Sequence, residues 1–474
     1  MDSRVSARAL TSALGGWRTR EPAYEALADG IRVLCVDNRL APGTTLPAER
    51  ELAAALGLSR STVAAAYESL RGSAHIRSLR GSGSVTLPLR RHDPGLTSGA
   101  PDAIDLQQAS PPAWPGLAGV FTEVAQSAAT LVAGTGYDMH GSTTLRSHIA
   151  DRYTARGLPT RPDEVLITNG AQSALHLLAA VLVGRGDRVL VETPTYPHAA
   201  EAMRAAGGRL IGVPVTTSDG WDLDRAEQAF ARGLPVLAYL MPDFQNPTGR
   251  TMTAADAARI DAAARRTGSI LVLDETTADL DIDRASPGHA FDPVRRTGVV
   301  RVGSLGKSVW GGLRLGWIRC EEPLVRRLMA ARPVRDLGSP DFEQAVAATV
   351  LERFGDVLAQ RAHVLGASRD ALRECVTARI PEWRVPCPDG GVALWIELDA
   401  PFSAALVMDA RARGVLLSAG ARFGVDGGYD RHLRLPFTTS PERLAVAVDR
   451  LADSWARVKD AAPRTAPVMD GALV

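Results

Sequence analysis

The chain has 474 residues, 45% of them apolar and 23% charged, with a formal net charge of +1. That much apolar material can bury a large core in more than one domain, and it excludes global disorder. The near-zero balance excludes a chain that is basic throughout. Of the 54 basic residues only Lys307 and Lys459 are lysine, so chemistry that needs a neutral amine has two candidates, because a guanidinium stays protonated.

The charge is unevenly spread. Residues 1–92 carry 13 Arg against 8 acidic residues, a net +5, which leaves −4 for the remainder. A basic N-terminal segment on a mildly acidic body fits a nucleic-acid-binding head joined to a second module. Cysteines 35, 320, 375 and 387 show no CxxC spacing. This argues against a disulfide framework or a metal site and fits a cytoplasmic protein. No apolar run of about 18 residues occurs, so no membrane span is expected.

In chain order, residues 22–87 read as three helices and a hairpin, and 1–87 as one domain. Leu27, Ile31 and Leu34 recur at helical spacing after Pro22. A second helix is expected over 48–56, entered at Pro47 and ended by Gly57. Ser59 is placed to cap a third helix that runs through Leu70. His75-Ile76-Arg77 and Gly83-Ser84-Val85-Thr86 read as hairpin strands about a Gly-rich tip. Residues 88–102 are rich in Pro, Gly and polar side chains and read as a linker. From 103 to 460 strand-like runs alternate with Ala-rich helices (165–168, 188–192, 236–241, 270–274 and 299–303), which predicts a mostly parallel, doubly wound α/β sheet. Later strand-like segments near 392–398 and 431–437 imply a smaller C-terminal α+β subdomain, and 461–474 a loose tail.

A helix-turn-helix needs a short helix, a tight turn and a second helix that can enter the major groove. Residues 46–70 supply them in that order. Leu46, Leu52, Leu56, Leu58, Val63 and Leu70 would form its core, leaving Arg50, Arg60, Ser61 and Thr62 exposed to DNA. Arginine can read guanine edges, and hydroxyls grip phosphates. Arg77, Arg80, Gly81 and Gly83 would form a wing. The segment resembles the GntR-type winged helix-turn-helix in Pro42-Gly43, Leu46-Pro47, Glu49-Arg50, Leu58-Ser59-Arg60, Thr62-Val63, Tyr67 and Gly81-Ser82-Gly83. The resemblance implies that Arg50 and Arg60 contact double-stranded DNA. A third arginine of that family falls on Ala64 here.

The body offers a donor set for a cofactor that bears an aldehyde, a phosphate, a phenolic oxygen and a pyridine nitrogen. Lys307 lies in a small-residue loop, Gly303-Ser304-Leu305-Gly306-Lys307-Ser308, where an amine could take the aldehyde; it is the one catalytic candidate. Ser304 and Arg314 could bind the phosphate, and Ala171 and Gln172 open a helix whose N–H groups could do the same. Asp274 ends a strand and could keep the pyridine nitrogen protonated. Asn246, in Asn246-Pro247-Thr248-Gly249, could bond the phenolic oxygen. Four such pieces, each after a strand, agree with one another.

In these motifs the chain resembles the fold type I, aminotransferase-like family over roughly 103–455. The resemblance implies pyridoxal 5'-phosphate on Lys307, with Tyr196 beside the ring and Arg434 clamping a substrate carboxylate. It departs at Thr276, where the family usually has a tyrosine on the phenolic oxygen. A GntR-type head joined by a linker to such a body resembles the MocR family of bacterial transcription regulators. That resemblance implies an internal aldimine on Lys307, sensing of an amine or amino acid as an external aldimine, altered engagement of operator DNA, and a head-to-tail homodimer. The alternative is a catalytically active aminotransferase.

Overall fold

The computed structural model describes residues 4–14, 17, 22–36, 39–79, 83–88, 102–284, 288–292, 294 and 296–461. The first compact unit holds helices Ala7–Leu14, Ala23–Val36, Glu49–Leu56 and Arg60–Gly72 and the hairpin Ile76–Leu79/Gly83–Thr86. Helix Ala7–Leu14 is not expected from the sequence. Its Leu10 and Leu14 lie on one face, as residues four apart in a helix do, and both are buried in the head's core. Leu46, Leu52, Val63 and Leu70 are fully buried there, while Leu56 and Leu58 pack at its edge.

The body is built on an eight-stranded sheet. Its order is Val165–Thr168, Gly316–Arg319, Val299–Ser304, Ile270–Asp274, Leu237–Leu240, Arg188–Thr193, Arg209–Thr216 and Gly220–Trp221. The pairings from Val299–Ser304 to Arg209–Thr216 are parallel. Gly316–Arg319 runs antiparallel to both of its neighbours, and Gly220–Trp221 is antiparallel at the far edge. The sheet is therefore mixed. Gly316–Arg319 and Arg209–Thr216 are strands that the sequence pattern does not announce. The first is four residues long and begins with Gly, and the second carries a Pro and is only half-buried, so neither shows the continuous apolar run that marks the others.

The central strands are mostly apolar because helices cover both faces. A second core lies around the three-stranded sheet of Ala393–Glu397, His432–Pro436 and Ser418–Ala419, backed by helices Phe354–Arg379, Ser403–Ala412 and Pro441–Ala461. The short strand Ile104–Asp105, just after the linker region, pairs in parallel with Val415–Leu416 and carries the chain into this core. No helix among the described residues is long and apolar enough to cross a membrane.

Candidate functional site

A cavity of about 350 Å³ lies where the ends of the parallel strands meet the smaller sheet. Its wall includes Lys307, Asp274, Asn246, Tyr196, Ala171, Gln172, Ser304, Arg314, Thr276 and Arg434, every body residue singled out in the sequence. Strand ends bring them together. Asp274 ends one central strand and Ser304 its parallel neighbour, and the turn after Ser304 delivers Lys307. Arg434 comes from the small sheet, on strand His432–Pro436.

Lys307 is half-buried, and its Nζ donates to the Ala109 carbonyl at 2.5 Å. Burial and the nearby Arg434 cation pull its pKa down to about 8, against the opposing pull of Asp274. Asp274 is buried, and burial raises its pKa. The Tyr239 hydroxyl donates to its Oδ2 at 2.7 Å, and the Thr276 N–H to its Oδ1 at 3.0 Å. Tyr239 sits on the adjacent strand and carries no mark in the sequence, because only the sheet brings it to Asp274.

The phosphate-type donors converge at the start of helix Ala171–Leu182. Gly170 precedes it with φ 85°, and a Cβ there would lie 3.2 Å from an Arg314 nitrogen. Only glycine combines that conformation with so close an approach. Arg314 donates to the Asn169 carbonyl at 3.2 Å, and Ser304 Oγ accepts from the Gly306 N–H at 3.0 Å. Gln172 Oε1 is buried without a hydrogen-bond partner.

Arg434 donates to the Gln107 carbonyl at 2.5 Å and to Asn246 Oδ1 at 3.5 Å, while its buried Nε has no acceptor. Its guanidinium lies 4.8 Å from the centre of the Phe423 ring. Burial lowers its pKa to about 10, which leaves it cationic. Arg422 also lines the cavity and donates to Glu201 Oε1 at 2.5 Å. Burial opposes ionisation of Glu201, but its bonds to His198 and Arg422 outweigh this and hold its pKa at about 2. Glu192, fully buried, accepts from Trp221, Met241 and Gln245, and so fixes the loop that carries Asn246. Arg422 lies in no local motif, so the sequence does not mark it; Glu192 opens the segment Glu192-Thr193-Pro194-Thr195-Tyr196-Pro197, but only the fold brings it to Asn246's loop.

On the head, Ser59 accepts from the Thr62 N–H at 3.1 Å and caps helix Arg60–Gly72. The Tyr67 hydroxyl donates to the Pro47 carbonyl at 2.9 Å and fixes the angle between the two helices. Arg50, Arg60, Ser61 and Arg77 are exposed and Thr62 is half-buried. Arg60 lies 3.6 Å from Glu49, a solvated pair that an incoming phosphate can replace. Gly83 opens the second hairpin strand, whereas Arg80 and Gly81 lie outside the described residues. No cluster of metal-ligating side chains occurs among the described residues.

The profile of the family "Aminotransferase class I and II" matches residues 120–451, and that of "Bacterial regulatory proteins, gntR family" matches 23–85. An uncharacterized HTH-type transcriptional regulator of Bacillus subtilis, YdfD, is 27% identical over 88% of this chain and 92% of its own. The probable rhizopine catabolism regulatory protein MocR of Rhizobium meliloti is 28% identical over 63% of this chain and 65% of its own. The chain belongs to the MocR family.

Such a regulator carries a GntR-type head on a body of the aminotransferase fold. In structure, the body of this MocR-type chain is similar to α-aminoadipate aminotransferase LysN of Thermus thermophilus, complexed with N-(5'-phosphopyridoxyl)-L-leucine. The TM-score is 0.70 at 27% identity, over 76% of this chain and 94% of that one. The head is of a DNA-binding type, and the body belongs to a family that depends on pyridoxal phosphate.

Proposed function

We propose that this regulator binds operator DNA through Arg50, Arg60, Ser61, Thr62 and the hairpin, and senses an amino compound in its body with pyridoxal phosphate held at Lys307. The observation that carries the reading is Lys307 itself. It is the sole lysine of the cavity, half-buried, with a lowered pKa, in the same small chamber as Asp274 and Arg434.

The residues fit the cofactor. Gln172 Oε1 and Arg434 Nε are buried polar atoms without partners, and the chamber falls within the range of small-molecule sites, about 300–1,000 Å³. Arg314, Ser304 and the N-terminus of helix Ala171–Leu182 would hold the phosphate. Asp274, kept in place by Tyr239, would hold a proton on the ring nitrogen. Asn246 would face the phenolic oxygen and Tyr196 the ring. Bound there, the cofactor supplies an aldehyde that condenses with amines and a ring that withdraws electrons. Arg434 selects amines that bear a carboxylate, since its Nε is free to donate. Thr276 has its N–H on Asp274, and its short side chain replaces the family's phenol beside the ring.

Loading the protein with pyridoxal phosphate is expected to give an absorbance band near the visible edge. Lys307→Ala should abolish that band, and an unchanged band would remove Lys307 from the reading. The assembled Lys307, Asp274 and Arg434 also support a second reading, an aminotransferase; turnover with a keto acid distinguishes it.

A second copy of the chain is the expected partner. Val132, Tyr137, Val334 and Leu337 are exposed on two loops that touch where Gly338 packs against Asp138. Light scattering should return twice the mass of one 50.2 kDa chain. A monomer at working concentration would contradict this.

A further inference from the structure

The loop after the Gly420–Phe423 turn touches both the cavity and the head. On the cavity side, Arg422 and Phe423 line the wall, and Phe423 lies under the Arg434 guanidinium. The Phe423 carbonyl accepts from the Thr195 N–H at 2.9 Å, one residue before Tyr196. The Val425 carbonyl accepts from Arg204 at 2.5 Å. On the other side, the Asp426 carbonyl accepts from the Ser12 hydroxyl at 3.0 Å, and Ser12 lies on the head's first helix. Gly427 packs so closely on that helix that a Cβ would come 2.5 Å from the Ser12 carbonyl. The head's second helix, Ala23–Val36, packs along Ser403–Ala412, the helix that precedes this loop. Two residues of chain therefore separate the ring under the effector clamp from the carbonyl that holds the head.

The loop also holds an unusual backbone conformation. Gly427, Gly428 and Tyr429 have φ of 87°, 80° and 62°, three successive left-handed residues. Such a run is strained at Tyr429 and is held by its contacts, among them the Tyr429 ring against Trp395 and its hydroxyl 3.4 Å from Thr193 Oγ1. Thr193 lies three residues before Tyr196, so the segment that leads into this cavity residue holds both ends of the loop.

We propose that residues 420–430 carry cavity occupancy to the DNA-binding head. This rests on the reading of the cavity as an effector site. A carboxylate on Arg434 draws the guanidinium toward itself and off Phe423; the turn moves with it, and the Asp426–Gly427 seat under Ser12 shifts. Coupling of this kind is reciprocal, so a head engaged on DNA must alter the cavity in return.

Two adjacent glycines give a matched test. Gly427→Ala and Gly428→Ala both place a side chain at a left-handed φ, but only Gly427→Ala pushes a methyl group into the Ser12 carbonyl, since nothing lies within 4 Å of a Cβ at Gly428. Full-length protein is followed by hydrogen exchange with and without N-(5'-phosphopyridoxyl)-L-leucine, which carries the ring, the phosphate and a carboxylate in one stable molecule. In wild-type protein and in Gly428→Ala, binding should change exchange in Ala7–Leu14 by about fivefold or more. In Gly427→Ala the same helix should exchange faster from the outset and not respond. A wild-type helix that ignores the bound molecule would overturn the coupling while leaving the cavity reading intact. A Gly427→Ala protein that responds like wild type, or a Gly428→Ala protein that loses the response, would overturn it as well. Failure of the molecule to bind at all would overturn the cavity reading, and the coupling with it.

Discussion

Lys307 shows how much one side chain's surroundings decide. An ordinary lysine near neutral pH is protonated in all but about one molecule in a thousand, whereas with a pKa of about 8 roughly one in four is neutral at pH 7.5. Only the neutral amine attacks an aldehyde. The folded-state pKa lies below the ordinary value, so the neutral form gains as pH rises through 8. Capture of pyridoxal phosphate by the cofactor-free protein should therefore rise with pH and reach half its limit near pH 8. A midpoint near 10 in stopped-flow absorbance would mean that the enclosure of Lys307 does not shape its reactivity. Arg434 shows the complementary case: burial lowers its pKa, yet it stays charged throughout this range and remains a carboxylate ligand.

At the scale of elements, legibility in the sequence depended on whether the signal was local. Ser59 could be read as a cap because it stands directly before a helical run, and the structure has it accepting from Thr62. Lys307, Asp274, Asn246 and Gln172 could be read because each lies at or just beyond the end of an apolar strand, and one edge of the sheet gathers those strand ends. Tyr239, Arg422 and the Gln107 and Ala109 carbonyls could not. Tyr239 meets Asp274 across a strand pair, and the Ala109 and Gln107 carbonyls meet Lys307 and Arg434, 198 and 327 residues further along the chain, next to the Ile104–Asp105 pairing. Gly316–Arg319 was hidden because a four-residue strand beginning with Gly lacks a periodic signal.

The recognition helix permits a prediction at the same scale. Arg60 is three-quarters exposed at its first turn. Arg60→Ala should weaken DNA binding by about 1–3 kcal/mol and leave the cofactor band unchanged. Operator binding equal to wild type in a gel-shift titration would remove Arg60 from the reading surface.

For the whole molecule, the charge split now has a structural counterpart. The basic residues of the head include exposed Arg50, Arg60 and Arg77, while the acidic body lines one chamber with four basic side chains: Lys307, Arg314, Arg422 and Arg434. The scarcity of lysine becomes informative for the same reason. Arginine serves at solvated positions and as a carboxylate clamp, but not where a neutral amine is required. Lys459, the other lysine, pairs with Glu382 on the surface of the C-terminal helix and lines no part of the cavity. Head and body touch through Ser12 and helix Ala23–Val36, so a ligand that favours one arrangement of the body also favours one placement of the head.

On the proposed reading, one molecule senses both an amine in its body and DNA on its head. The most direct test is an absorbance titration of the full-length, cofactor-loaded protein with a panel of amino acids, with and without DNA from the region upstream of its own gene. At least one amino acid should shift the band without multiple turnovers, and DNA should move the midpoint of that shift by the same factor by which the amino acid changes DNA affinity. A shift whose midpoint ignores DNA, or turnover at ordinary enzyme rates with a keto acid present, would contradict that reading.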